Sequence, residues 1–439
     1  MQNTKKRHAK EIDFLEGPLT RNILLFTLPV MATGVLQFLY NASDSAVVGW
    51  LIGRDALGAV SSTGALSNLI TGLFIGLSVG ASVSVSHAIG SRRFDNAHDI
   101  VQTSVTLSCI LGILVAVFGL LACKPLLELM GTVEECIEQS TRYMRIIFLG
   151  IPAQMVYNYG TSILRANGDT RHPLIFLVIS GAVNVVLNIT LVFFFRDVWG
   201  VAVATIASQY LSAFLTVRLL CRIDGCCRLD LAHLYIKRDK LAKILKIGLP
   251  AGIQSALFAI SNVLIQSSVN SFGNAAIVAG NGAGANVDGL IYIAQNSFYH
   301  AALTFTGQNL GGHKFERIRK SCRDCMILVT LVGFAIGGCC YAFGPELLSI
   351  FARDDADVIK YGMIRLLYMG VPYFLCGTME VMSGTLRGLG ASMTSMIVSL
   401  IGACVFRVVW IYTVFAHFHT IPSLYLLYIF SWTITAIAE

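Results

Sequence analysis

Gly90-Ser91-Arg92-Arg93-Phe94 returns 221 residues later as Gly311-Gly312-His313-Lys314-Phe315. Leu28-Pro29 returns as Leu249-Pro250 at the same offset of 221. Ile151-Pro152 meets Val371-Pro372 at 220, and Leu164-Arg165 with Gly168 meets Leu386-Arg387 with Gly390 at 222. Four landmarks in one order, drifting by a single residue, mark a duplicated plan. An internal repeat in a hydrophobic chain points to a transporter whose halves work about a central site.

The composition supplies the solvent. Of 439 residues, 55% are hydrophobic and 13% are charged. Soluble domains carry about a quarter charged residues, so this chain suits a bilayer. A spanning helix needs about 20 apolar residues. Hydropathy and flanking charge place spans at 22–50, 57–89, 100–123, 137–164, 172–195, 199–222, 242–271, 278–310, 322–343, 358–386, 392–417 and 421–439. The expected fold is an all-α membrane protein, with twelve transmembrane helices in two pseudo-symmetric six-helix bundles. The bundles run over 22–222 and 242–439, with a cytoplasmic tail at 1–21 and a cytoplasmic linker at 223–241.

Charge orients the loops. Alternate loops carry Arg92 and Arg93; Arg165 and Arg171; Arg228, Lys237, Arg238 and Lys240; Lys314, Arg317, Arg319 and Lys320; and Arg387. The loops between them are poor in Lys and Arg and partly acidic, as at Glu134-Glu135 and at Asp354, Asp355 and Asp357. The positive-inside rule puts the basic set and both termini in the cytoplasm, in a multi-pass protein of the plasma (inner) membrane. The tail (Lys5, Lys6, Arg7, Lys10, Glu11) has no apolar core, so the first span is expected to serve as the insertion signal. The net charge of +7 follows from this loop bias, and no nucleic-acid partner is expected.

Most of the cysteines lie within spans and read as small hydrophobes. Cys322 and Cys325 have CxxC spacing, but no second pair or histidines stand in register for zinc or redox work. No metal and no cofactor is expected. An integral-membrane enzyme would show clustered catalytic groups at the interface, and the isolated Asp354–Asp357 cluster reads as a solvated loop. The chain is not expected to be an enzyme, and one asymmetric carboxylate suits alternating access better than a continuous pore.

The two halves share architecture but not polar chemistry. At the repeat offset Asp44 meets Ile265 and Asn184 meets Val405. A charge at mid-bilayer costs about 2.5–3.5 kcal/mol on insertion scales and is usually kept for function. Thr33, Gln37, Tyr40 and Asp44 share one helical face, and Pro29, fifteen residues before Asp44, can kink the helix as a hinge. Ser180, Asn184 and Asn188 form another stripe. A carboxylate facing two carboxamides offers a coupling ion a place to sit, so Asp44, Asn184 and Asn188 are the coupling-site candidates. A proton is expected rather than sodium, because one carboxylate and two amides make a thin cage for a hard cation.

Substrate contact falls to the remaining polar faces: Gln37 and Tyr40; Asn262 and Gln266 in the seventh span; Asn296 and His300 in the eighth; and Glu380 in the tenth. His300 is either a hydrogen-bonded packing residue or a proton carrier. Glu380 either faces the cavity and attracts cations or pairs with Arg407 of the eleventh span.

Two six-helix halves, the Leu-Pro opening each, the Gly-Ser-Arg-Arg-Phe and Gly-Gly-His-Lys-Phe loops and the Leu-Arg-x-x-Gly turns together resemble the multidrug and toxic compound extrusion (MATE) family over essentially the whole chain. The resemblance implies two V-shaped bundles, alternating access, and export of drugs or metabolites driven by a proton or sodium gradient. Asp44 and Pro29 match the family's first-helix aspartate and proline, and Asn184 its fifth-helix asparagine. Asn188 stands where many members have aspartate. Phe258 stands where one branch has a seventh-helix glutamate, so a sodium site around that glutamate is not expected. The expected partners are the lipid bilayer and small-molecule drugs or metabolites, often cationic and amphipathic, handled by a monomer. The alternative is a flippase of a lipid-linked saccharide or peptidoglycan precursor, which would want a cationic central cavity.

Overall fold

The computed structural model describes residues 12–51, 54–129, 134–195, 198–352 and 355–439. Lys5, Lys6, Arg7, Lys10, Glu11 and Asp354 lie outside the described residues, as do the side chains of Glu134 and Glu135. Among the described residues the secondary structure is helical, with no strand.

The first half comprises α1 (Leu19–Leu51), α2 (Arg54–Gly90), α3 (Phe94–Leu129), α4 (Glu134–Ala166), α5 (Arg171–Phe195) and α6 (Val198–Arg222). The second opens with α7 (Arg238–Asn270), α8 (Ala275–Gly311), α9 (Phe315–Ala342) and a short α10 (Gly344–Ala352). Two interrupted runs follow. In the first, α11 (Ala356–Arg365) passes through a π-helical stretch (Leu366–Gly370) and a 3-10 turn at Pro372 into α12 (Phe374–Gly388). In the second, α13 (Ser392–Ser399) and α14 (Phe406–Trp410) are each followed by π-helical residues, Leu400–Val405 and Ile411–Phe415. The last helix is α15 (Ile421–Ala438). The chain is an all-α membrane protein with six transmembrane runs per half, twelve in all.

Nine helices among the described residues are long and apolar enough to cross a membrane by composition alone. The exceptions are α4, α8 and the 356–388 run. Burial explains α8, where Gln295, Asn309, Asn281 and Asp288 face protein rather than lipid. A helix surrounded by other helices is not required to be apolar on every face.

The sequence repeat is also a backbone repeat. Arg92 and His313, partners at 221, are the only described non-glycine residues with positive φ (55° and 56°). The following amides reach back identically, Arg93 N to Ala88 O and Lys314 N to Asn309 O. Gly168 (φ 91°) and Gly390 (φ 86°) close α4 and α12 in the same left-handed way, where glycine carries no Cβ penalty.

The described chain divides into two compact units. One holds Ala32–Gly248, the other Asp13–Met31 with Leu249–Glu439. The change-overs fall inside α1 and α7, next to Pro29 and Pro250, rather than in the linker 223–241. In the first unit, α2 and α7 approach so closely that a Cβ on Gly80 would stand 2.1 Å from the Ile244 carbonyl oxygen. That unit's core gathers Phe74, Phe148, Met155, Tyr159 and Ile244. In the second, the segment before α1 is docked rather than free. Phe14 is buried against Phe26 and Phe305, and the Phe14 carbonyl accepts from Asn309 at 3.1 Å and from Arg317 Nε at 2.9 Å. A second cluster there packs Leu424, Leu427, Trp432 and Met379.

Candidate functional site

Within the first unit α1 runs against α5 on a face that only small residues permit. Gly181 carries the Tyr40 ring so closely that a Cβ would lie 1.5 Å from its Cζ. The Tyr40 hydroxyl donates to the Leu177 carbonyl. One turn further along α1 and two turns along α5, the polar groups meet. Asn188 donates through Nδ2 to Asp44 Oδ1 and, at 3.2 Å, to Asn184 Oδ1. Asn184 and Asn188 are buried. Among the described residues no basic side chain forms an ion pair with Asp44, so two neutral groups hold its charge.

The second of those groups is Thr205 of α6, whose Oγ1 donates to Asp44 Oδ2 at 3.3 Å. Sequence reasoning missed it for a physical reason. A helical threonine ordinarily returns its hydroxyl to the carbonyl four residues back, and Thr205 does this too, to Val201 at 2.9 Å. Nothing local marks it as a second-partner donor. Asn188 Oδ1 is buried with no hydrogen-bond partner, which leaves one acceptor of the cluster free beside the carboxylate.

Gln37 lies on the exposed side of α1, seven residues before Asp44, and Pro29 lies in the part of α1 that belongs to the second unit.

The second unit holds its own polar system. Arg365, at the end of α11, donates through Nε to Asp288 Oδ2 at 2.8 Å and through Nη1 to Asn281 Oδ1 at 2.5 Å. Tyr425 of α15 donates to the same Asn281 oxygen at 3.0 Å. Asn281 in turn donates to Gln266 Oε1 at 3.1 Å, and Gln266 to Asn270 at 3.0 Å. Gln266 is thus joined to this network, whereas Asn262 lies on the exposed side of α7 outside it. Asp288 is visible in the sequence as an intramembrane acid, but nothing local pairs it with Arg365.

Asn296 donates to the Tyr292 hydroxyl at 3.0 Å, and Tyr292 lies within the field of Glu380. The His300 ring packs on Tyr299 with centroids 5.1 Å apart. Glu380 forms no ion pair with Arg407 among the described residues. Arg407 instead stacks on Tyr428, 4.5 Å from its centroid, over Phe258 at 6.0 Å, and bonds Ser431. The charge pattern alone puts Arg387 in a cytoplasmic loop. It stands instead in the last turn of α12, buried, donating to the Tyr299 hydroxyl at 2.6 Å and to Gln254 Oε1 at 2.7 Å. Those two acceptors let the guanidinium turn inward. Cys322 and Cys325 are free thiols, and no metal-holding group of three or more His, Cys, Asp or Glu occurs among the described residues.

The family model described as MatE matches residues 29–190 and 250–413. The chain is 29% identical over 389 residues to "Probable multidrug resistance protein YoeA" of Bacillus subtilis, covering 87% of this chain and 83% of that one. It is 25% identical over 409 residues to the "FAD transporter" of Shewanella oneidensis, covering 90% and 87%. Among solved structures it is similar to one described as the outward-facing conformation of a multidrug resistance MATE family transporter. That match has a TM-score of 0.90 at 24% identity, covering 98% of this chain and 96% of that one.

Proposed function

The chain belongs to the MatE family of membrane transporters, and from that premise we propose that it is an ion-coupled antiporter. It exports drugs or amphipathic, often cationic, compounds across the plasma membrane by alternating access, with both termini in the cytoplasm. The observation that carries this reading is Asp44, a half-buried carboxylate held by Asn188 and Thr205 with no basic partner among the described residues. A buried charge in that setting is costly unless a cation neutralises it, so ion binding and release there change the energy of the first unit. Alternating access requires such a differential.

The coupling ion in this proposal is a proton. Asn188 turns its N–H₂, not its oxygen, towards Asp44. An amide N–H beside a carboxylate repels a metal cation but tolerates a carboxylic acid. A hard cation wants several oxygens and more negative charge. Drug efflux from proteoliposomes is expected to follow an imposed pH gradient and to be insensitive to an imposed sodium gradient of equal size. Export that follows sodium and ignores pH would overturn this.

The flippase reading wants free cations in the cavity. Among the described residues each buried arginine of the second unit is instead engaged: Arg365 by Asp288, Arg387 by Tyr299 and Gln254, Arg407 by Tyr428 and Ser431. That speaks for cationic or neutral cargo over phosphate-bearing cargo.

Glu380 is the substrate-selecting group in this proposal, beside Tyr292 and Asn296. A partly desolvated carboxylate favours a positive ligand. Glu380→Gln is expected to lower export of cationic compounds more than that of neutral ones. Because Arg407 does not pair with it, the stability effects of Glu380→Gln and Arg407→Gln should add to within about 0.5 kcal/mol in thermal denaturation. Strong non-additivity, or loss of neutral and cationic export alike, would remove this role.

A further inference from the structure

The two units keep the same arginine at the same turn but not its partners. Arg165 stands in the last turn of α4 just before Gly168, as Arg387 stands in the last turn of α12 just before Gly390. Both belong to helices rather than to the loops that their charge suggests. Arg387 is held by the Tyr299 hydroxyl and by Gln254 Oε1, and Glu380, two turns before it, sets a carboxylate on the same helical face. At the repeat offsets of 221, 221 and 222 these three positions hold Ser78, Thr33 and Asn158. Tyrosine and glutamine have become shorter hydroxyl side chains, and the acid has become an amide. Ser78 is engaged elsewhere, donating to the Ile75 carbonyl at 2.7 Å and accepting from Ser162 at 3.1 Å.

Arg165 is left with donors and no acceptor. Its side chain leans back along α4 towards the earlier turns, as helical side chains do. Among the described residues its guanidinium makes no hydrogen bond and no ion pair, and its Nε is enclosed. Tyr157 lies within its field, and the Tyr157 hydroxyl is also buried without a partner. So is Nδ2 of Asn158, two turns before Arg165 on the same face. The carboxylate of the same unit, Asp44, is turned to Asn188 and Thr205 and forms no ion pair with Arg165. Three polar groups on neighbouring turns of α4 thus have hydrogens to give and nothing to receive them. An enclosed donor without an acceptor costs about 1–3 kcal/mol, and more when it is charged. An anion relieves that cost.

We propose that Arg165, Tyr157 and Asn158 bind a carboxylate carried by the cargo, so that zwitterionic as well as cationic compounds are taken. A guanidinium receives a carboxylate through two parallel N–H···O bonds, and the phenol and the amide N–H₂ supply further donors. One positive charge with two neutral donors suits a single negative charge and undersupplies a doubly charged phosphate monoester. Tyr157 also lies in the field of Tyr40, one turn before Asp44 on α1, which sets this subsite in the same unit as the coupling carboxylate. The inference deepens the exporter reading, on which it rests, by naming a second charge that the cargo carries.

The test is dye binding to the purified full chain in dodecyl maltoside, read by fluorescence anisotropy. Rhodamine B carries a free carboxylate beside its cationic ring system, and its ethyl ester keeps the cation without the anion. Arg165→Gln is expected to raise the Kd for rhodamine B about tenfold or more, the equivalent of about 1.4 kcal/mol, and to leave that for the ester unchanged. Arg165→Lys should fall between, because it keeps the charge and loses the planar fork. Since the guanidinium gives no bond to the protein, Arg165→Gln should fold with an unchanged or higher Tm. If it does not fold, Tyr157→Phe decides, a selective loss of rhodamine B affinity supporting the subsite. Equal losses for the two dyes, or no loss for either, overturn it. So does competition by phosphatidylglycerol, but not by phosphatidylcholine, for the Arg165-dependent part of the binding, which assigns the site to an anionic lipid. No gradient is needed, so the two readings fail separately. Loss of coupling leaves the dye preference intact, and loss of the subsite leaves gradient-driven efflux of the ester intact.

Discussion

Asp44→Asn is expected to reduce gradient-driven export to the passive leak while the protein still folds and inserts. The substitution keeps the shape: with its amide oxygen in the place of Oδ1 the new side chain still accepts from Asn188, and its N–H₂ faces Thr205, whose hydroxyl can turn to accept. The stability change should therefore stay within about 1 kcal/mol, the usual range for one altered hydrogen bond. What is removed is the ability to alternate between a charged and a neutral state, and with it the differential that drives alternating access. The measurement is efflux from proteoliposomes under an imposed pH gradient, with the amount of reconstituted protein and its Tm recorded for the same preparation. Wild-type efflux by this variant would falsify the coupling role. Thr205→Val should give a milder defect, because Asn188 continues to hold the carboxylate.

The second large effect is on stability. Asp288→Asn leaves the buried guanidinium of Arg365 without its counter-charge, and breaking one partner of a buried pair costs about 3–5 kcal/mol. The site has little room to relax. Arg365 packs against Gly284, where a Cβ would already meet its Cδ at 2.8 Å, and the pair lies beside the π-helical turn that begins at Leu366. Removing both charges together, as Asp288→Leu with Arg365→Met, should recover most of the loss, since two buried charges replaced by apolar groups of similar volume are often neutral or stabilising. Asn281 keeps its bond from Tyr425 in the double variant. Thermal denaturation in detergent checks both. A single change that leaves Tm unaltered, or a double change no better than the single, would show that the pair does not anchor the interrupted helix.

The sequence by itself determined the architecture and the place to look for chemistry. The repeat of Gly-Ser-Arg-Arg-Phe as Gly-Gly-His-Lys-Phe, the Leu-Pro pairs and the run lengths are one-dimensional signals. Membrane helices must satisfy every backbone group within the segment, so length and hydropathy translate directly into spans. Asp44, Asn184 and Asn188 were legible for a related reason: the cost of a polar group in a span is a property of the segment alone. The tertiary structure decided the partners. Thr205 lies 161 residues from Asp44, and Arg365 lies 77 from Asp288. Serines 40 to 56 residues before Glu439 gather at its carboxylate, and Arg387 turns inward because Tyr299 and Gln254 accept from it. None of these choices is written in a local period. A hydroxyl in a helix looks the same whether it serves its own backbone or a distant carboxylate, and an arginine at a helix end looks the same whether it faces water or the bundle. Only packing, which fixes the face each helix turns to its neighbours, separates those cases.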